Sequence, residues 1–381
     1  MNNKKKKNYL GMGVVLLIYV LVGALCGRSM GKYMASAGWW DLPVGGALIA
    51  SALFLLIFYA SVLIQVIIHE AGHLVFGLAT GYRFSSFRIF QWMLMQKDGK
   101  LCWKRFSLPG TAGQCLMAPP PLENGNMPVL LYNFGGAIMN LIASALFFGI
   151  SCLLPEASLP AVALQILALV GVGFALTNGI PLRTGTVDND GRNALSMLRS
   201  REAVRAFWIQ LEVNEQTKEG RRLRDMPEEW FQVPTDDAME NNLIATVGVL
   251  ACNRRMDQLR FAEAEALMAH LLSIESGIPG LYRSLLTCDR IYVELIGENR
   301  PQVLETLLTK EQKKAMKSMR QLPSVLRTEY AIALLSGRDA QQAQKILQRF
   351  ERMAAAYPNP GEIAEEQELI GIAQAAAADL K

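Results

Sequence analysis

The sequence predicts a mainly α-helical protein. A membrane bundle of about four transmembrane helices carries a small β-hairpin insertion, and an all-α, repeat-like soluble domain follows. Three observations predict this. Hydrophobic residues make up 51% of the 381 and concentrate before about Leu182. The remainder is rich in Glu, Arg, Gln and Ala at helical spacing. Gly and Pro punctuate both halves. The length allows about two or three domains, and the change in composition divides the chain into residues 1–195 and 196–381. A net charge of +4 is mild, and the basic residues flank apolar runs or sit on helical faces, so no nucleic-acid partner is expected. The six cysteines form no C-x-x-C pair. They read as reduced, small hydrophobes.

The elements follow in order. Lys4 to Lys7 precede an apolar run over residues 9–26. That run is long for a signal peptide, and Cys26-Gly27-Arg28 is a poor cleavage site, so it reads as a retained first span. The lysines then put the N-terminus in the cytoplasm. Residues 28–43 form a short outer connection with Trp39 and Trp40 at the interface. A second span starts at Val44 and continues to about Ala79, longer than the ~20 residues that cross a bilayer, and Gly81 stops it. The segment 82–128 is basic and inward-facing. Residues 83–95 and 100–108 have strand-like composition around the turn Lys97-Asp98-Gly99. They read as a hairpin against the membrane face or as a plain amphipathic linker. Ala118-Pro119-Pro120-Pro121 opens an irregular connection. Residues 129–154 form a third span with Asn133, Gly135, Gly136 and Asn140, suited to close helix approach. The fourth begins at Ala161 and breaks at Thr177-Asn178-Gly179-Ile180-Pro181.

The chemistry centres on His69-Glu70-Ala71-Gly72-His73 at the inner end of the second span. Positions four apart share a helix face, so His69 and His73 can grip one metal together. Glu70 is placed to take a proton from a metal-bound water. Zinc suits two imidazoles plus a carboxylate. The bland alternative is two satisfied histidines and a surface glutamate, a costly arrangement beside some twenty apolar residues. Of the three histidines in the chain, only His270 lies elsewhere. After the fourth span comes Thr186-Val187-Asp188-Asn189-Asp190-Gly191. Asp190 can supply a third, anionic ligand, with Asp188 as substitute. Otherwise Asp190 is a capped turn opening the next helix. The second and fourth spans run the same way, which brings all three ligands to the inner side.

Together these residues resemble the site-2 protease family of intramembrane zinc metalloproteases. The matches are His69-Glu70-Ala71-Gly72-His73, then Asn178-Gly179-Ile180-Pro181 followed by Asp190-Gly191. Gly135-Gly136-Ala137-Ile138-Met139-Asn140 is similar to the family's G-P-x-x-N segment, with Ala137 in place of proline. The resemblance covers the chain to about Leu198. It implies a transmembrane metalloprotease domain in which His69, His73 and Asp190 bind Zn2+. Glu70 would be general base and then acid, and Asn178 would steady the oxyanion. The spacing from Pro181 to Asp190 is longer than is common in the family. No apolar–glycine pattern is long enough for an inserted PDZ domain. The implied activity is an endopeptidase cutting membrane-embedded protein substrates, in a multi-pass protein of the cell membrane.

Residues 196–381 read as nearly all helix, over 201–216, 237–254, 261–273, 281–295, 301–308, 323–335, 340–355 and 360–380. Thr328-Glu329-Tyr330-Ala331, with Gly337, Ala343, Leu347 and Pro358, resembles a degenerate tetratricopeptide unit. The domain is thus a TPR-like cytoplasmic solenoid offering a surface to a protein partner, or an ordinary helical bundle. Two other function classes compete. One is a non-catalytic membrane protein acting as a partner through its helical tail, which would not need Glu70. The other is a metal transporter, which would show further ligands along a path.

Overall fold

The computed structural model describes residues 3–39, 44–97, 99–107, 111–182 and 188–379. Trp40, Asp98, Thr186 and Val187, singled out above, lie outside them. The chain separates into two compact units. The first comprises Met1–Phe84, Ala112–Cys115 and Met127–Arg199, and the second Ser85–Thr111, Leu116–Asn126 and Ser200–Lys381.

The first unit is built on four helices: α1 (Asn3–Ser36), α2 (Val44–Ala79), α3 (Leu130–Ser151) and α4 (Leu159–Gly179). Each contains a stretch long and apolar enough to cross a membrane. Helix α1 runs ten residues past the apolar run that marked its expected end. Cys26 and Met30 continue its buried stripe against Val162, Ile166 and Val170 of α4, and the chain turns only at Gly38, where φ is +68°. Helix α2 ends in a Schellman closure. The Tyr82 N–H reaches the Gly77 carbonyl at 3.0 Å, and Gly81 has φ +87°, a conformation that costs glycine nothing.

Between α2 and α3 the expected hairpin is a four-stranded sheet of β1 (Arg83–Ile89), β2 (Trp92–Lys97), β3 (Lys100–Arg105) and β4 (Gly113–Ala118), ordered β3-β2-β1-β4. The stretch 83–95 is two strands because the chain reverses at Phe90, with φ +50°, and pairs Ile89 with Trp92. Strands β2 and β3 pair from Lys97–Lys100 to Trp92–Arg105.

Helix α5 (Asp190–Arg199) closes the first unit. The second unit holds α6 (Arg201–Lys218), α7 (Asn242–Asp257), α8 (Phe261–Ser273), α9 (Gly280–Ile296), α10 (Pro301–Leu307), α11 (Lys310–Ser318), α12 (Pro323–Ala331), α13 (Ala340–Ala356) and α14 (Pro360–Asp379). Helix α12 runs on into a π-turn over Ile332–Ser336. Helix α11 was not expected. One core runs through the unit, with Tyr292, Leu326, Phe350 and Leu369 among its buried members. Helix α14 packs on α6, α9 and α12. The last helix of the unit thus returns to its first.

Candidate metal centre

Helix α2 is apolar almost all round, yet Ser61, Gln65, His69 and His73 recur at intervals of four and are all buried. That spacing makes one polar stripe. Glycines bring α3 against it. A Cβ on Gly72 would sit 2.3 Å from the Gly135 carbonyl oxygen, so the two backbones touch there. A Cβ on Gly136 would sit 2.4 Å from His69 Cε1, so the imidazole occupies the space that glycine leaves.

The two rings are held from α3. The His73 Nδ1–H donates to the Tyr132 carbonyl at 2.7 Å, which turns Nε2 toward the cluster. His69 Nδ1 lies 2.8 Å from Asn140 Oδ1. Tyr132 is itself fixed, its hydroxyl donating to the Cys115 carbonyl at 3.0 Å and its ring stacked on Tyr82 at 4.5 Å. The two Nε2 atoms are 3.2 Å apart.

The third member arrives from α5. Asn189 brackets the break between α4 and α5. Its amide nitrogen donates to the Thr177 and Ile180 carbonyls at 2.7 and 2.6 Å. Its Oδ1 accepts the N–H of Leu182 and of Arg192 at 3.1 and 3.0 Å, the latter as an N-cap. A Cβ on Gly191 would lie 2.2 Å from the Gly179 carbonyl oxygen. Asp190 is thereby delivered to the histidines, with Oδ2 at 3.2 Å from His69 Nε2 and 3.5 Å from His73 Nε2. Burial raises the Asp190 carboxyl, but the adjacent His73 and His69 outweigh it and hold the group below the usual carboxylate range.

His69, His73 and Asp190 form a group able to hold a metal ion. Tetrahedral ligands with bonds of about 2.0–2.1 Å stand about 3.3–3.4 Å apart. The observed 3.2, 3.2 and 3.5 Å match that spacing, and the two-imidazole, one-carboxylate donor set suits zinc. Glu70 is buried on the next position of the helix, and a Cβ on Gly113 of β4 would sit 2.6 Å from its Oε1. Asp188 turns instead to Arg192, 3.8 Å away. The Asn178 amide donates to the Phe174 carbonyl of its own helix at 3.0 Å.

Reading the sequence for ligands missed the supporting residues Gln65, Tyr132, Gly113 and Asn189. For Gln65 the signal was present, one turn before His69 on the same stripe. For Asn189 it was an N-cap residue immediately before an Asp-Gly helix start. Tyr132 acts through its backbone, which no residue type advertises.

A family model described as Peptidase family M50 matches residues 57–374 of the 381, well over half of the chain. Comparison with curated proteins and with solved structures gave no match.

Proposed function

The chain belongs to Peptidase family M50, the site-2 protease family, and from that premise we propose that it is an intramembrane zinc metalloendopeptidase acting on membrane-embedded protein substrates. The observation that carries this is the convergence of His69, His73 and Asp190 at 3.2–3.5 Å beside a buried Glu70 on a helix of membrane-spanning length. A zinc ion held there would supply Lewis acidity to a water and to a substrate carbonyl. His69, His73 and Asp190 would hold the ion. Glu70 takes the proton of the attacking water and returns it to the leaving amine. Asn178 becomes an oxyanion donor when its amide turns from the Phe174 carbonyl to the substrate. A purely structural metal site has no task for Glu70, which speaks against a non-catalytic role.

The lysines at 4–7 and the basic segment after α2 support a cytoplasmic N-terminus. The metal centre and the helical unit then lie on that side. The helical unit offers a TPR-like surface for a protein partner.

The test is the zinc content of detergent-purified protein together with cleavage of a transmembrane substrate. Wild type should hold about one zinc per chain. His73→Ala and Asp190→Ala should lose it. Glu70→Ala should keep zinc and lose cleavage by about 10²–10⁴-fold. Folded wild-type protein without zinc would refute the proposal.

A further inference from the structure

The two imidazoles present Nε2 to the same point, but their Nδ1 atoms are held in different ways. The Tyr132 carbonyl can only accept, so it fixes a proton on His73 Nδ1. His69 Nδ1 faces Asn140, and an amide can turn either end to a ring. Were its NH2 end turned to His69, the ring proton would move to Nε2. The lone pair that faces the metal position would be gone.

The next members of the chain prevent this. Asn140 Nδ2 lies 3.0 Å from the backbone carbonyl oxygen of Gln65 and 2.7 Å from Gln65 Oε1. Gln65 Nε2 lies 2.9 Å from the Leu167 carbonyl oxygen on α4. Backbone carbonyls accept and never donate. The Leu167 carbonyl therefore sets Gln65 with its nitrogen outward and its oxygen toward Asn140. That oxygen, with Gln65's own carbonyl, sets Asn140 with Oδ1 toward His69. Each side chain donates to the next: His69 to Asn140, Asn140 to Gln65, Gln65 to Leu167. Gln65 and Asn140 are completely buried, so no water competes, and an unmet donor there would be costly.

Gly171 makes the last contact feasible. A Cβ at that position would sit 2.4 Å from Gln65 Nε2. The glycine leaves the room in which the amide reaches the carbonyl one turn back.

We propose that Gln65 is a positioning residue of this centre: lodged in the space left by Gly171, it orients Asn140 and so keeps the proton on His69 Nδ1 and the Nε2 lone pair aimed at the metal. The inference rests on the zinc reading of His69 and extends it to residues one and two hydrogen bonds away. Such outer partners are worth about 10–100-fold in metal affinity.

The experiment measures two things on wild type, Gln65→Leu, Gly171→Ala and Gln65→Glu. One is zinc affinity by competition with a chelator. The other is the nitrogen-15 spectrum of the histidine rings in metal-free protein, tractable because the chain has three histidines. Wild type should show His69 Nδ1 protonated throughout, whatever the state of Nε2 beside Asp190. Gln65→Leu and Gly171→Ala should show a fraction of His69 with Nδ1 bare and bind zinc about 10–100-fold more weakly. Gln65→Glu, neutral at this buried position, can donate its O–H to the Leu167 carbonyl and accept from Asn140, so it should recover most of the affinity and the single form, which also controls for a folding defect in Gln65→Leu. A single His69 form with wild-type zinc affinity in Gln65→Leu overturns the proposal and leaves the zinc reading intact. If wild type takes up no zinc, the zinc reading fails, and the ring spectra of the metal-free proteins still decide the positioning role by the same comparison.

Discussion

Around the candidate metal centre, glycines do as much as the polar side chains, because each marks where a side chain or backbone must pass. Gly136 faces the His69 ring and Gly113 faces the Glu70 carboxylate, with built Cβ contacts of 2.4 and 2.6 Å. The two positions make a paired prediction. Gly136→Ala should displace the imidazole and lower zinc content, as measured by metal analysis of the purified protein. Gly113→Ala should leave zinc in place and move Glu70, cutting cleavage by about 10²-fold, the low end for general acid–base catalysis. Equal zinc loss in both would mean that the two glycines serve only packing. The ligand candidates themselves were legible because chemistry restricts them. Two histidines one turn apart and an aspartate before a glycine have few other uses at the end of an apolar helix. Their supports were not legible, since a carbonyl such as that of Tyr132 or a glycine such as Gly113 carries no side-chain signature.

Among elements, the junction of α4 and α5 bears the most on the site. Asn189 closes it with four hydrogen bonds, and Asp190 is the next residue. Asn189→Ala should leave α4 and α5 formed, as judged by unchanged helicity. It should loosen the approach of Asp190 and weaken zinc binding by about tenfold or more, read by chelator competition. Unchanged affinity would mean that Gly191 and the packing of α5 on α4 suffice. Element boundaries were readable where a local signal coincided with a change in burial, as at Gly81 after α2. They were misread where burial continued without the signal. Helix α1 passes Arg28 and Lys32 because Cys26 and Met30 still face α4. The turn at Phe90 has positive φ at a residue that does not advertise it, so two strands read as one. Strand β4 lacks the β-branched residues that mark strands. Helix α11 was overlooked because Lys310–Ser318 is strongly polar, although Thr309 accepts the N–H of Gln312 as an N-cap.

At the scale of the whole molecule, the membrane-length helices and the helical unit bury their polar groups under different rules. The first unit gathers Gln65, His69, His73 and Asn140 around one metal-sized cluster, while Asn133 and Ser151 turn back to carbonyls of their own helix. The second buries carboxylates: Glu365 and Glu366 are buried on α14 and Glu362 is half-buried beside them. Arg327 of α12 pairs with Glu366 at 2.8 Å and with Asp289 of α9. Arg222 pairs with Asp257 of α7 and with Glu368. The Tyr357 hydroxyl donates to Glu362 at 3.0 Å. Acids outnumber bases in this set, and protonation relieves the excess. Burial first, then the neighbouring Glu366, pushes the Glu362 carboxyl up to about 7. Burial raises Glu365 and Glu366 as well, with Asp257 adding to Glu365 and Arg327 opposing the rise of Glu366. An unfolded glutamate titrates near ~4.3, so the folded chain holds this proton more tightly. The stability it contributes is complete below that value and is lost as pH rises through about 7. The thermal midpoint of the full chain should therefore fall between pH 5 and 8. After screening of a half-buried group, the Glu362 share is on the order of 1 kcal/mol. That corresponds to about 2–4 °C for a unit of this size. Glu362→Gln, which carries no titrating proton, should flatten that slope while leaving zinc content unchanged. A slope as steep in Glu362→Gln as in wild type would move the effect to Glu365 and Glu366, and a midpoint that rises with pH would contradict the sign of the argument.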